Sequence, residues 1–172
     1  MGLLRFWPLK KEKIIMELWD AYDSEFRKIP GKTLVRGEEI PRGLYHLVAD
    51  ILVAHRDGTY LLMQRDPFKR HGGMWESTSG GSALQGETAE ECAFRELYEE
   101  TGIRADSLER LGGFRGEHSF YVQFLCRTDW PKDQIRFQKG ETVAYQWVTK
   151  ETLLSMYGKN MANNRMERYL RT

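Results

Sequence analysis

The chain has 172 residues, of which 41% are apolar, and its 26 basic and 25 acidic residues give a net charge of +1 at pH 7. This length and apolar content predict a single domain with a substantial core and argue against a disordered chain. The near-zero charge gives no general reason to expect a nucleic-acid partner, and no apolar run approaches the roughly 20 residues of a membrane span.

The start of the chain differs in character from the rest. It is basic and apolar without a clear period, so we expect residues 1–16 to form an arm and residues 17–172 to form one domain. A signal peptide is not indicated, because charged residues and a proline interrupt a short apolar run. The two cysteines, Cys92 and Cys126, belong to no CxxC or zinc-binding pattern. We expect both thiols to be reduced and buried, which favours a cytoplasmic protein.

The first half of the chain is rich in β-forming residues separated by turn residues. Four segments predict strands: 17–23, 32–36, 43–55 and 59–65. Pro30 and Gly31 predict a turn between the first two, and Asp57-Gly58 predicts a hairpin turn before the fourth. Residues 66–81 are rich in glycine, serine and basic side chains, and they predict a loop.

The second half begins with a predicted helix over residues 88–101, which has small or apolar residues along one side. Two strands and two helices follow it: strands 119–127 and 143–148, and helices 150–157 and 161–171. Thr149 is a suitable N-cap for the first of these helices, and the last is expected on the surface. Strands mixed with helices, without strict βαβ alternation, predict a layered α/β domain with a mixed sheet.

Three glutamates crowd the end of the helix predicted over residues 88–101. Glu96, Glu99 and Glu100 stand at i, i+3 and i+4, which places them within an arc of about 100° on one face. Each like-charge pair costs ~0.2–0.5 kcal/mol, and the negative end of the helix dipole adds a similar penalty. A hard divalent cation is the natural agent for neutralising them, since Mg²⁺ prefers carboxylate oxygens, water and substrate phosphates. A solvated acidic helix face is the alternative.

The spacing around these glutamates is more specific. From Gly81 to Ile103 the chain reads GSALQGETAEECAFRELYEETGI, which is Gly, five residues, Glu, seven residues, Arg-Glu-Leu, one residue, Glu-Glu, one residue, Gly-Ile. This segment resembles the Nudix box of the Nudix hydrolases at every defined position. At usages of roughly 5–7% per residue type, seven fixed matches arise by chance on the order of 10⁻⁹ per start site. Trp75, Arg65 and residues 140–151 also resemble the family.

The resemblance implies an α/β/α sandwich with a mixed β-sheet, in which the box over residues 81–103 forms a loop-helix-loop motif. This motif would hold Mg²⁺ or Mn²⁺ against the diphosphate of a small-molecule nucleoside diphosphate derivative. The resemblance makes Glu96, Glu99 and Glu100 the carboxylate ligands of the metal, with a further oxygen from the backbone carbonyl of Gly80.

The implied reaction is metal-dependent attack of water on a phosphorus atom of the diphosphate. Arg95 and Glu87 resemble the pair that orients the helix behind the metal. One carboxylate must accept a proton, and the candidates are Glu99, Glu100 and, outside the box, Glu141.

Other residues are candidates for binding the substrate. Basic side chains that could clamp phosphates are Arg65, Lys69, Arg70 and Arg115, and aromatic side chains that could stack on a base are Trp75, Phe120 and Tyr121. Ordinary surface charges and core aromatics are the alternatives. Residues 17–36 are expected either to cap the site or to form the interface of a homodimer.

Two other functions remain open at this point. Residues flanking the box also resemble the isopentenyl-diphosphate isomerase branch of the same fold, but that enzyme uses a cysteine just before the box helix, and residues 75–87 contain none. A non-catalytic nucleotide sensor is the third reading, although such proteins usually lose box glutamates and this chain keeps them. The leaving group is not identified, so derivatives such as ADP-ribose, sugar nucleotides and nucleoside triphosphates remain open.

Overall fold

The computed structural model describes residues 16–171, in which helices cover both faces of a β-sheet. The strands are β1 (Leu18–Tyr22), β2 (Lys28–Val35), β3 (His46–His55), β4 (Tyr60–Arg65), β5 (Trp75–Glu76), β6 (Thr78–Ser82), β7 (Glu109–Arg115), β8 (Ser119–Thr128) and β9 (Thr142–Val148). The helices are α1 (Ala89–Thr101), α2 (Lys150–Met156) and α3 (Glu167–Leu170). The arm predicted over residues 1–16 lies outside the described residues, apart from Met16.

The large sheet is mixed and opens on one side. Its strand order is β5-β4-β3-β8-β7, with β6 paired to β3 and β9 paired to β4. β3 and β8 are parallel, whereas the other pairs are antiparallel. β3 and β4 pair at Ala54 and Tyr60, next to their hairpin turn, and then diverge so that β6 lies beside β3 and β9 beside β4. The candidate site lies in this opening.

Alternation along β3 builds a separate core on each face of the sheet. Ile51 packs in a cluster with Leu97 of α1, whereas its neighbour Leu52 packs in a second cluster with Leu153 of α2. Successive residues of a strand point to opposite faces, so one nearly continuous apolar strand fills both cores. The α/β/α sandwich with a mixed sheet is therefore confirmed.

Helix α1 agrees with the prediction because its two ends carry strong local signals. Thr88 is the N-cap and forms a capping box with Glu91, and Gly102 ends the helix in the left-handed region at φ 76°. A capping side chain of this kind stabilises a helix by ~1 kcal/mol. Thr149 likewise caps α2, as expected.

The N-terminal hairpin is longer than predicted. Pro30 and Gly31 lie inside β2, which corrects the prediction of a turn at these two residues. The connection lies earlier, between Tyr22 and Lys28, and β1 and β2 form their own two-stranded sheet. A strand at the edge of a small sheet tolerates proline, because no further strand needs its missing N–H group.

Long-range pairing accounts for the other differences from prediction. The predicted loop over 66–81 contains β5 and the first part of β6, and β7 was not predicted. The predicted surface helix over 161–171 is wrong except at α3. Met161 and Met166 are buried, and the backbone of Asn160 and Ala162 bonds to Trp75 instead of forming a helix. Among residues 16–171, no helix has the length and apolar character needed to cross a membrane.

Candidate active site

A polar cavity of about 770 Å³ occupies the opening between β3 and β4. One wall is the C-terminal half of α1, which contributes Arg95, Glu96, Glu99 and Glu100. The facing wall includes the segment after β4, with Lys69, Arg70 and His71, and the loop before β9, with Glu141. The predicted metal ligands Gly80, Glu96, Glu99 and Glu100 thus all reach one cavity, and the basic side chains of Arg65, Lys69 and Arg70 lie on its facing wall.

Glu100 is fixed to the sheet by the backbone of Gly80. The Gly80 N–H group donates to Glu100 Oε2 at 2.9 Å. Gly80 has φ +151°, and a Cβ at this position would lie 2.0 Å from the Ala49 carbonyl oxygen, so only glycine allows this approach. Burial raises the pKa of Glu100 to about 8, despite the opposing hydrogen bond from Gly80. Without a cation nearby, burial thus favours the protonated form of this carboxyl.

Arg95 links the glutamates of the box. Its Nε and Nη2 atoms donate to the two carboxylate oxygens of Glu87 at 2.6 and 2.8 Å. Its Nη1 atom donates to Glu96 at 2.8 Å and to Glu99 at 3.2 Å. The two-point contact with Glu87 has the geometry expected of a pair that orients α1. The contacts with Glu96 and Glu99 were not predicted, and they offset the repulsion between these carboxylates in the absence of a metal.

The carboxylates fit an open cation site and do not form a complete cage. Among residues 16–171, no group of three His, Cys, Asp or Glu side chains is arranged to hold a metal by itself. Glu96, Glu99 and Glu100 nevertheless all line the cavity with hard oxygen donors. Mg²⁺ suits such a site, because water and substrate phosphates complete its coordination. The raised pKa of Glu100 also fits, since a cation favours the ionised carboxylate.

Gly81 makes room for one of these carboxylates. A Cβ at this position would lie 2.5 Å from Glu96 Oε1. Burial raises the pKa of Glu96 as well, with Arg95 opposing this and Glu99 adding to it. Glycine at position 81 therefore lets Glu96 lie directly against β6.

The wall opposite α1 is held together by ion pairs. Arg65 Nη1 lies 2.7 Å from Glu76 Oε1, and its Nε donates to the Arg70 carbonyl at 2.8 Å. Lys69 forms an ion pair with Glu141, and the Asp66 N–H group donates to the Glu141 carbonyl at 2.9 Å. The candidate base outside the box is therefore held at the rim of the cavity next to a lysine.

Four of the predicted substrate-binding residues, Trp75, Arg115, Phe120 and Tyr121, lie outside the cavity lining. Trp75 packs against the core beneath α2. Phe120 lies 4.6 Å from the ring of Phe26 and 4.9 Å from that of Tyr45. Arg115 donates to the Ser24 carbonyl at 3.2 Å. Tyr121 stacks on Phe114, with 4.6 Å between the ring centres. These contacts serve the packing of the sheet and the N-terminal hairpin, and contact of the four residues with substrate stays a prediction.

The cavity also contains residues that were not predicted. The N-terminal hairpin contributes Glu17, Trp19 and Arg36, and the far layer contributes Arg165, which is paired with Asp50 of β3. Asp50 could have been noticed, because a lone carboxylate in the apolar run LVADILVAH needs a cationic partner. Nothing local in the sequence marks Arg165 as that partner.

Comparison with known proteins points to one family. The family model of the NUDIX domain matches residues 44–171. An uncharacterized Nudix hydrolase of Listeria monocytogenes serovar 1/2a is 34% identical over 145 residues, which cover 80% of this chain and 83% of that one. An RNA pyrophosphohydrolase of Erythrobacter litoralis is 42% identical over 132 residues, covering 63% of this chain and 79% of the relative. A crystal structure of a Deinococcus radiodurans protein has a TM-score of 0.73 and 22% identity, covering 90% of this chain and 98% of that one.

Proposed function

Because the chain belongs to the Nudix hydrolase family, we propose that it cleaves the diphosphate linkage of a nucleoside diphosphate derivative with the help of Mg²⁺ or Mn²⁺. The enzyme class, a Nudix pyrophosphohydrolase, follows from the family and its relatives. The observation that supports the cation is the placement of the three carboxylates of Glu96, Glu99 and Glu100 on one wall of the same cavity.

The charged residues of the box and the neighbouring Gly80 have two kinds of role in the proposed reaction. Glu96, Glu99 and Glu100 hold the cation together with the carbonyl of Gly80, and Arg95 keeps α1 in place through Glu87, which itself accepts from the Leu84 N–H group at 2.8 Å. The cation, when bound, supplies charge that polarises the phosphoryl oxygens and acidifies the attacking water.

Basic side chains of the facing wall bind the other side of the diphosphate. Arg65, Lys69 and Arg70 face the box glutamates across the cavity and offset the negative charge of the phosphates. Lys69 is paired with Glu141 in the free protein, so a phosphate that engages Lys69 releases Glu141. Glu141 therefore joins Glu99 and Glu100 as a candidate acceptor of the proton from water, and pH–rate profiles of the single glutamine variants would separate the three.

The placement of the cysteines does not support the isomerase reading. Cys92 and Cys126 are the two cysteines of the chain, and both are fully buried. Burial raises the pKa of Cys92 to about 12 and that of Cys126 to about 11, so neither thiol is suited to proton transfer. Neither residue lines the cavity.

The proposal is tested by turnover of a substrate panel. Purified protein is incubated with ADP-ribose, sugar nucleotides, dinucleoside polyphosphates, nucleoside triphosphates and isopentenyl diphosphate, each with Mg²⁺ and with chelator. Products are read by mass spectrometry in ¹⁸O-labelled water, which labels the phosphorus that water attacks. Metal-dependent cleavage of one nucleotide class is expected. Isomerised isopentenyl diphosphate, or nucleotide binding without cleavage, would contradict the proposal.

A further inference from the structure

Arg165 is held in the cavity by an acidic residue that is almost completely enclosed. Its Nε and Nη2 atoms donate to the two oxygens of Asp50 at 2.6 and 2.9 Å. The Asp50 side chain is 2% exposed, whereas that of Arg165 is 28% exposed. The guanidinium also lies 5.0 Å from the ring centre of Tyr121. The side chain of Arg165 is therefore rigidly placed while part of it still faces the cavity.

The backbone that carries Arg165 is fixed as well. Residues 160–166 form the C-terminal segment, whose Ala162 N–H group donates to the Trp75 carbonyl at 2.8 Å. The Arg165 N–H group donates to Asn163 Oδ1 at 3.2 Å, and its carbonyl accepts from Gln123 Nε2 at 3.1 Å. Such a placement, made before any substrate arrives, lowers the entropy cost of binding an anion.

Arg165 and Glu100 bind to neighbouring strands of the sheet, β3 and β6, from opposite layers. Asp50 of β3 is the cross-strand neighbour of Gly80 of β6, and the Gly80 N–H group binds Glu100. Both Arg165 and Glu100 line the cavity. A diphosphate held by a cation on the α1 side would thus meet a guanidinium on the other side of Gly80.

We propose that Arg165 is a phosphate-binding residue of the active site, positioned by Asp50. The edge formed by Nε and Nη2 binds Asp50, and within residues 16–171 Nη1 donates no hydrogen bond, which leaves it for a phosphate oxygen of the substrate. Arginine suits this task because its planar group can bind a carboxylate along one edge and a phosphate along another. The inference rests on the proposed diphosphate hydrolase, to which it adds a binding residue outside the box.

The alternative is that Arg165 only fastens the C-terminal segment to the sheet, and Arg168 provides a matched control for it. Arg168 belongs to the adjoining α3 and also ties this part of the chain to the sheet, since its Nη2 donates to Gln123 Oε1 at 2.6 Å. It does not line the cavity. A tethering role predicts similar behaviour of Arg165→Met and Arg168→Met, whereas phosphate binding predicts a difference.

The decisive measurement is calorimetric binding of inorganic pyrophosphate in the presence of Mg²⁺. Arg165→Met should weaken binding about tenfold or more, since hydrogen bonds to charged groups contribute on that scale. Arg165→Lys should recover part of the affinity, because an ammonium still attracts phosphate but lacks the fixed fork. Arg168→Met should bind as the wild type does, even if its melting temperature falls.

A second measurement separates this inference from the proposed function. The rise in melting temperature with Mg²⁺ alone reports on the carboxylates, so Arg165→Met should retain it. An absent rise in the wild type would contradict the proposed metal site but not the role of Arg165. Equal pyrophosphate affinity in wild type and Arg165→Met, or equal losses in Arg165→Met and Arg168→Met, would overturn the role of Arg165. The same comparison by kcat/KM, with ADP-ribose and CTP as probes, should show the loss mainly in KM.

Discussion

At the scale of single residues, the site combines groups that are unfavourable in isolation. Burial raises the pKa of Glu100 and also that of Glu96 beside it. Arg95 donates to Glu96 and Glu99 but has no hydrogen bond to Glu100 within the part of the chain that the structure describes. Glu100 is therefore the carboxyl that gains most from a cation, because a nearby cation offsets the effect of burial and favours the ionised form.

The paired change Glu99→Gln with Glu100→Gln should abolish the stabilisation by Mg²⁺. For the wild type, a cation at about 100 times its Kd should add ~2.7 kcal/mol to the free energy of unfolding. The double variant should lose this gain, and in chelator it should melt close to the wild type, because a glutamine amide at position 100 can still accept from the Gly80 N–H group and carries no charge in the buried site. The measurement is thermal unfolding with and without Mg²⁺. Glu90→Gln is the control, since Glu90 is exposed on the first turn of α1. A Mg²⁺ response that survives in the double variant would remove these two ligands from the assignment.

His46 should make the protein sensitive to mild acid. Burial lowers the pKa of His46 from 6.5 to about 4, with Glu17 opposing this shift and His118 adding to it. The folded state therefore favours the neutral ring, whose Nε2 bonds to Ser119 Oγ at 2.8 Å and whose face stacks on Trp19 at 4.2 Å. The contribution of neutral His46 to the free energy of unfolding is complete above pH 6.5. It decreases by up to ~3 kcal/mol as the pH falls towards 4.

The variant His46→Gln isolates this effect. Glutamine can still bond to Ser119 but carries no charge at any of these pH values. The difference in unfolding free energy between wild type and variant should therefore shrink steadily from pH 7 to pH 4.5, measured by urea denaturation. Carboxyl groups titrate in both proteins and cancel in the difference. A constant difference across this range would show that His46 is not held neutral.

At the scale of elements, the sequence was most informative where the determinants are local. Helix α1 was predicted within one residue at its start, because a capping box and a glycine C-cap lie in the segment itself. The strands β5 and β6 were missed within a loop rich in glycine and serine, because β6 exists through its backbone pairing with β3. The site shows the same contrast between local and long-range determinants. The box glutamates could be found from their spacing, whereas Arg165 is brought to the cavity by a partner 115 residues away.

The two glycines before α1 should respond differently to alanine. In Gly81→Ala, the new Cβ meets the far end of the flexible Glu96 side chain, which can move away. In Gly80→Ala, it meets the backbone of β3 at a φ that L residues rarely adopt. We expect Gly81→Ala to melt near the wild type in chelator but to respond less to Mg²⁺, and Gly80→Ala to melt much lower in either condition. Thermal unfolding of both variants measures this, and a full Mg²⁺ response in Gly81→Ala would contradict the contact between Glu96 and the cation.

At the scale of the whole molecule, the sheet separates two cores while the cavity draws residues from all three layers. Glu100 comes from the layer of α1, Gly80 from the sheet, and Arg165 from the layer of α2 and α3. The N-terminal hairpin adds Trp19 and Arg36 to the lining of the cavity. Substrate binding should therefore depend on both layers of helices, whereas cation binding should depend on one.

This separation predicts different outcomes for matching core substitutions. Leu97 of α1 and Leu153 of α2 are both fully buried, but they lie in opposite cores. Leu97→Ala and Leu153→Ala should each destabilise the fold by ~2–5 kcal/mol, since each leaves a cavity. Only Leu97→Ala should also weaken the Mg²⁺ response, because Leu97 packs the turn of α1 that carries Glu96 and Glu100 against the core. Mg²⁺ titrations followed by thermal unfolding would measure both effects at once. Equal weakening of the Mg²⁺ response in the two variants would mean that cation binding depends on the stability of the whole domain. The carboxylates of α1 would then not be the main ligands of the cation.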